Sequence, residues 1–170
     1  MWIINAKYGS VDFYQTLERE LLSLTFGEKN LIANFSNISS WLFHSLPDLN
    51  WCGFYLWDEE DKELVLGPFQ GKPACIRIKP GRGVCGKSYL EKRSILVHDV
   101  DEFPDHIACD SESKSELVIP LKKENHIYGV LDLDSPKIGR FTDVDERELS
   151  HIMQKVMSQV FPLSRLKLKG

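Results

Sequence analysis

At Pro47 the hydrophobic period of the chain changes. Before it, Phe13, Leu17, Leu21 and Leu24 recur at helical spacing with Gly27 as a stop, and Leu31, Phe35, Ile38, Leu42 and Leu46 repeat the pattern. After it, residues 50–57 are aromatic-rich and read as a strand, residues 58–62 as a charged turn and residues 63–66 as the return strand. A loop rich in Gly and Pro follows, then a short strand at 76–79, a two-turn helix at 86–93 and a strand at 94–98. Residues 99–115 are polar, acidic and without periodicity, which is long for a connection and typical of a functional loop. Residues 116–122 and 127–133 form a hairpin, and Thr142, with Asp145 three residues on, caps a last helix whose buried face carries Leu149, Ile152, Val156 and Val160. Two helices, about six short strands and a closing helix make an α+β domain: a central antiparallel sheet with the N- and C-terminal helices packed on one face.

With 170 residues, all of them (1–170) are expected to form a single domain with a core at about 30–160. A formal net charge of −4 argues against nucleic acid as a partner, because phosphate binding needs a basic face. The longest apolar run, 51–57, is far too short for a membrane span, and Met-Trp-Ile-Ile-Asn lacks the basic start of a secretory signal. A cytoplasmic protein is expected, in which clustered cysteines point to metal binding, catalysis or redox sensing rather than to structural disulfides.

Three of the four cysteines, Cys75, Cys85 and Cys109, fall between residues 70 and 116 beside Gly, Pro or charged residues, where an accessible thiol would sit. Three unrelated reduced thiols are the plain alternative. Cys52 lies inside the aromatic strand and reads as a small apolar core residue. No C-x-x-C pair occurs, so no metal is expected. Gly81-Arg-Gly83-Val-Cys-Gly86 matches G-x-G-x-x-G, but the helix after it is too short for a crossover, Pro80 interrupts the strand before it, and the strands that follow pair as hairpins. These glycines are read instead as allowing a tight, positive-φ loop that could line a pocket.

The strand Gly129-Val-Leu-Asp132-Leu-Asp134 places Val130, Asp132 and Asp134 on one face. That face is either solvated or a pocket floor. On a floor, two adjacent carboxyls cannot both ionise easily, and the protonated one can act as a general acid. Glu116 joins them if the hairpin turn is odd in length, and faces away if the turn has two residues.

Taken together, segments 50–56, 66–78, 81–86, 101–110, 115–121 and 129–135 closely resemble the free methionine-(R)-sulfoxide reductases, a GAF-domain family, over about residues 30–160. Cys52 is a departure from the family pattern. The resemblance implies reduction of free L-methionine (R)-S-oxide, with Cys109 as nucleophile, Cys75 as main resolving thiol and Cys85 as an auxiliary or alternative one. It implies Glu116, Asp132 and Asp134 as carboxylates on the substrate side. Trp51 and Tyr55, on one strand face, could pack the thioether methyl; core packing serves them equally. The sulfenic acid formed on Cys109 would condense to a disulfide and be recycled by thioredoxin or a similar dithiol. No cofactor is expected, and a helix at each end leaves apolar surface able to support a homodimer. A GAF sensor module that binds a small ligand, or a thiol redox switch without a substrate, are the rival readings.

Overall fold

The computed structural model of the protein describes residues 3–104 and 111–161. Helices α1 (Val11–Thr25) and α2 (Leu31–Ser45) open the chain, each started by a side chain that accepts a backbone N–H: Ser10 from Phe13 and Asn30 from Ala33. Strands β1 (Trp51–Asp58), β2 (Glu63–Gly71) and β3 (Arg77–Ile78) follow, then helix α3 (Gly83–Glu91). Strand β4 (Ile95–Val97), the hairpin β5 (Ser115–Lys123) and β6 (His126–Ser135), and helix α4 (Asp143–Val160) complete the order. The six strands form one antiparallel sheet in the order β3-β2-β1-β6-β5-β4.

Strand alternation divides the buried residues between the two faces of the sheet. On one face Cys52, Phe54, Leu117, Ile119, Leu131 and Leu133 pack under α1, α2 and α4 through Leu17, Leu21, Phe35, Ile38, Leu42, Ile152 and Val156. This is the helix face expected from the sequence, and Cys52 lies in it, fully buried. On the other face Trp51, Tyr55, Val118 and Val130 form a second cluster with Val84 and Cys85 of α3. The capping box at Thr142 and Asp145 is present.

The strands depart from the sequence reading at two bulges. β2 runs to Gly71 rather than ending near residue 66, because Gly67 and Pro68 together oppose the single residue Phe54 between the pairs Gly53–Phe69 and Tyr55–Leu66. A bulge tolerates a proline, which has no N–H to give the ladder. The second bulge lies in the β5–β6 hairpin. The turn has two residues, with Lys123 paired to His126, yet Pro120 pairs with Val130, so Tyr128 and Gly129 oppose Leu121 alone. That one extra residue shifts the phase and brings Glu116 opposite Asp134 despite the two-residue turn. Gly129 holds φ at 146°, and a Cβ there would come within 2.1 Å of the Tyr55 carbonyl oxygen.

Helix α3 begins at Gly83, three residues earlier than the sequence pattern indicates, and so takes in Cys85. Gly86 makes this possible: a Cβ there would meet the Lys79 carbonyl at 2.3 Å, so only glycine lets the helix lie so close to the preceding chain. Gly81 and Gly83 both hold positive φ, as a tight turn there requires.

Candidate active site

The face of the sheet opposite α1, α2 and α4 carries the chemistry. Pairing across β1, β6 and β5 sets Trp51 beside Asp134 and Asp134 beside Glu116, while Gly53 lies beside Asp132 and Asp132 beside Val118. Residues opposite one another in an antiparallel ladder point to the same side. Glu116, Asp132 and Asp134 therefore share one face, and α3 roofs it. Between roof and floor lies a cavity of about 530 Å³, counted to its open mouth, lined by Trp51, Tyr55, Cys85, Glu116, Asp132 and Asp134 among others. Gly53 leaves the floor clear beside Asp132, since a Cβ there would strike the Phe69 Cβ at 2.3 Å and the Trp51 ring at 2.6 Å. Trp51 stacks on Phe69 at 5.3 Å and on Tyr55 at 5.9 Å between ring centres, and its indole N–H donates to the Lys72 carbonyl at 3.0 Å. The ring wall is thus held from both sides.

Two of the three carboxyls are buried, and Asp134 is half-buried. Glu116 is 6% exposed and Asp132 7%. Burial drives the Asp132 carboxyl well above the ordinary range, and the neighbouring Glu116 charge adds to it. Burial does the same to Glu116, reinforced by the Asp134 charge. The sequence pattern suggested Asp134 as the group coupled to Asp132; the bulged register makes Glu116 its close neighbour instead. One Asp132 oxygen, Oδ1, is fully buried and has no hydrogen-bond partner among the described residues.

The cysteines occupy unlike places. Cys85, expected to be accessible, is 4% exposed in the first turn of α3, against Glu116 and Asp132. Burial pushes its thiol well up, and the Asp132 and Glu116 charges push further. Cys75 is half-buried, and the Tyr55 hydroxyl donates to its backbone carbonyl at 3.0 Å. Cys52 is core on the helix side of the sheet, its thiol also pushed up by burial. Cys109 lies outside the described residues.

Known proteins share this fold and much of this sequence. A GAF-domain family profile matches residues 42–158. The free methionine-R-sulfoxide reductase of Escherichia coli strain K12 is 48% identical over 145 residues, covering 85% of this chain and 87% of its own. The chain belongs to the free methionine-R-sulfoxide reductase family of GAF domains. The Neisseria meningitidis free methionine-R-sulfoxide reductase, solved in complex with its substrate, superposes with a TM-score of 0.89 at 36% identity, covering 98% of this chain and 99% of that one. The reduced form of the Staphylococcus aureus enzyme superposes at 0.84 with 43% identity, over 95% and 100% of the two chains.

Within this reductase fold, the sequence pattern pointed to the three carboxyls, the two rings and two of the thiols that line or flank the pocket. It did not point to Arg82, Ser113 or Val84, which line it as well. Val84 follows from the helical period once α3 is started at Gly83. Ser113 accepts from Asn50 Nδ2 at 3.0 Å and ties the end of the acidic loop to the start of β1, and no local signal reveals that. Beside it, Lys72 Nζ meets Glu112 Oε2 at 2.6 Å, joining the segment before Cys75 to the segment after Cys109. No described helix is long and apolar enough to cross a membrane.

Proposed function

We propose that the protein reduces free methionine (R)-sulfoxide to methionine by thiol chemistry in this pocket. The observation that carries the reading is the set of three carboxyls, Glu116, Asp132 and Asp134, on one roofed face beside Cys85 and walled by Trp51 and Tyr55. A free amino acid brings an α-ammonium, and the half-buried Asp134 carboxylate satisfies it by a charge-assisted hydrogen bond. Its carboxylate is matched by the uncapped N-terminus of α3 and by Arg82 beside it. The indole and phenol rings pack the thioether methyl.

Reduction needs a thiolate and a proton. The Cys109 thiolate attacks the sulfoxide sulfur, the S–O bond breaks with proton delivery to oxygen, and methionine leaves with a sulfenic acid on Cys109. A carboxyl whose pKa burial raises well above its ordinary range, as it does for Asp132 and Glu116, is a suitable donor. A second thiol then condenses with the sulfenic acid, releasing water, and an external dithiol of the thioredoxin kind reduces the disulfide. Cys75 suits the resolving role better than Cys85. It is half-buried and so reachable by a partner, whereas the Cys85 thiol is enclosed and its thiolate disfavoured.

The test is incubation with racemic free methionine sulfoxide and dithiothreitol or thioredoxin, with the epimers resolved afterwards. Selective loss of the R epimer is expected, and intact protein that binds the substrate without turnover would mark a sensor. Cys109→Ser abolishes even one turnover. Cys75→Ser keeps the first turnover and loses recycling by thioredoxin; the opposite pattern reverses the two roles.

A further inference from the structure

We propose that Cys85, Glu116 and Asp132 form a binding site for a thiophilic divalent cation of the zinc(II) kind, whose occupancy closes the pocket to substrate. The Cys85 Sγ and one carboxylate oxygen from each of the other two lie within 4.8 Å of one another, and all three residues are buried. They come from three elements, α3, β5 and β6, fixed by the sheet and its roof. The independent sign of a ligand is Asp132 Oδ1. It is a fully buried acceptor on the cavity wall with no hydrogen-bond partner among the described residues, and such an atom is costly unless a cation or donor reaches it.

The donor set decides the class of ion. One sulfur and two oxygens suit a borderline-soft cation and disfavour magnesium or calcium, which take oxygen alone. Three protein ligands leave a fourth position facing the cavity, the pattern of an exchangeable rather than a sealed zinc site. Metal–sulfur and metal–oxygen bonds of about 2.3 and 2.1 Å need donors roughly 3.5 Å apart, a separation within reach of side chains whose ligand atoms already lie within 4.8 Å of one another. The cation displaces the thiol proton and the carboxyl protons to solvent, and nothing is oxidised or reduced. The consequence for catalysis rests on the reading of the pocket as the substrate site: the two carboxyls that take the cation line that pocket and are its proposed proton donors, so a bound cation and the substrate exclude each other and inhibition is competitive.

The experiment is titration of the reduced full chain with cobalt(II) alone, followed by the thiolate-to-cobalt charge-transfer absorption. One equivalent producing the band is expected. Cys85→Ala abolishes the band, Asp132→Asn weakens cobalt binding about ten-fold or more, and Cys75→Ser and Cys109→Ser retain the band. No band in the parent chain, or a band that survives Cys85→Ala, overturns the proposal; Asp132→Asn carries the test if Cys85→Ala fails to fold. Zinc(II) added to a turnover assay run with a phosphine reductant should raise KM without lowering kcat and be reversed by a chelator. Inhibition indifferent to substrate concentration overturns the shared site. The cobalt band needs no turnover, so a chain that fails to reduce the sulfoxide still reports on the metal, and an active chain without the band loses only the metal.

Discussion

Asp132 lies between a thiol and a second carboxyl with one oxygen unpartnered, and no neighbour among the described residues offers a compensating positive charge to that oxygen. Replacing Asp132 by Asn keeps the shape and removes the acid, so kcat/KM for free methionine (R)-sulfoxide should fall by roughly 10²- to 10⁴-fold; steady-state assays with dithiothreitol measure it. A drop under three-fold would show that another group delivers the proton. The candidate site residues were legible here because Asp132 and Asp134 break a buried apolar alternation, a pattern that physical chemistry rarely leaves unexplained. The setting of Cys85 was not legible. Three glycines around it read as loop, and only the close approach of Gly86 to the Lys79 carbonyl shows why they belong to a turn running straight into a helix.

At the level of elements, the three long helices were readable from their apolar period, and the last also from its cap at Thr142; Ser10 and Asn30 cap the first two, while α3 has no side-chain cap and its start was misplaced. The sheet register was not readable, because a bulge is written in no hydrophobic pattern. The Tyr128–Gly129 bulge alone decides that Glu116 joins Asp132 and Asp134. Gly129→Ala forces a Cβ to within 2.1 Å of the Tyr55 carbonyl at a φ of 146°. The strand must straighten, shift or separate from β1. The expected cost is about 2 kcal/mol or more, read as a lower urea midpoint with unchanged slope. Activity should fall by more than the lost stability explains, because a register slip carries Glu116 away from the other carboxyls. Unaltered activity per folded molecule would mean that the bulge survives without glycine.

Across the whole molecule, two sets of buried charge act on stability with opposite signs. Asp145 fastens the first and last helices. Tyr8 and Tyr14 donate to its Oδ1, the second at 2.8 Å, and the Thr142 backbone N–H and hydroxyl donate to Oδ2 at 2.8 and 2.9 Å. Arg140 pairs with it at 3.5 Å with both side chains nearly sealed from solvent. Truncation by Asp145→Ala leaves that guanidinium buried and should cost about 3–5 kcal/mol, measured by chemical unfolding. Burial raises the Asp145 carboxyl, but the hydrogen bonds from Tyr8, Thr142 and Tyr14 outweigh it and hold it below its ordinary range. Its contribution is therefore present above the unfolded-state pKa and lost as pH falls through the folded value. Glu116 and Asp132 run the other way. Their folded values are raised, so the folded state binds protons that the unfolded chain has released. Stability must then decline as pH rises from the unfolded carboxylate value, about 4, through the raised folded ones. Asp132→Asn removes the Asp132 share of that decline. Relative to its offset from the parent chain below about pH 4, the variant should gain stability as pH rises from there through the raised folded value. Urea unfolding across a pH series checks this, and a stability difference that stays constant with pH would show that Asp132 is ionised in the folded protein. The group proposed as proton donor is then one whose burial the fold sustains at a cost that grows with pH.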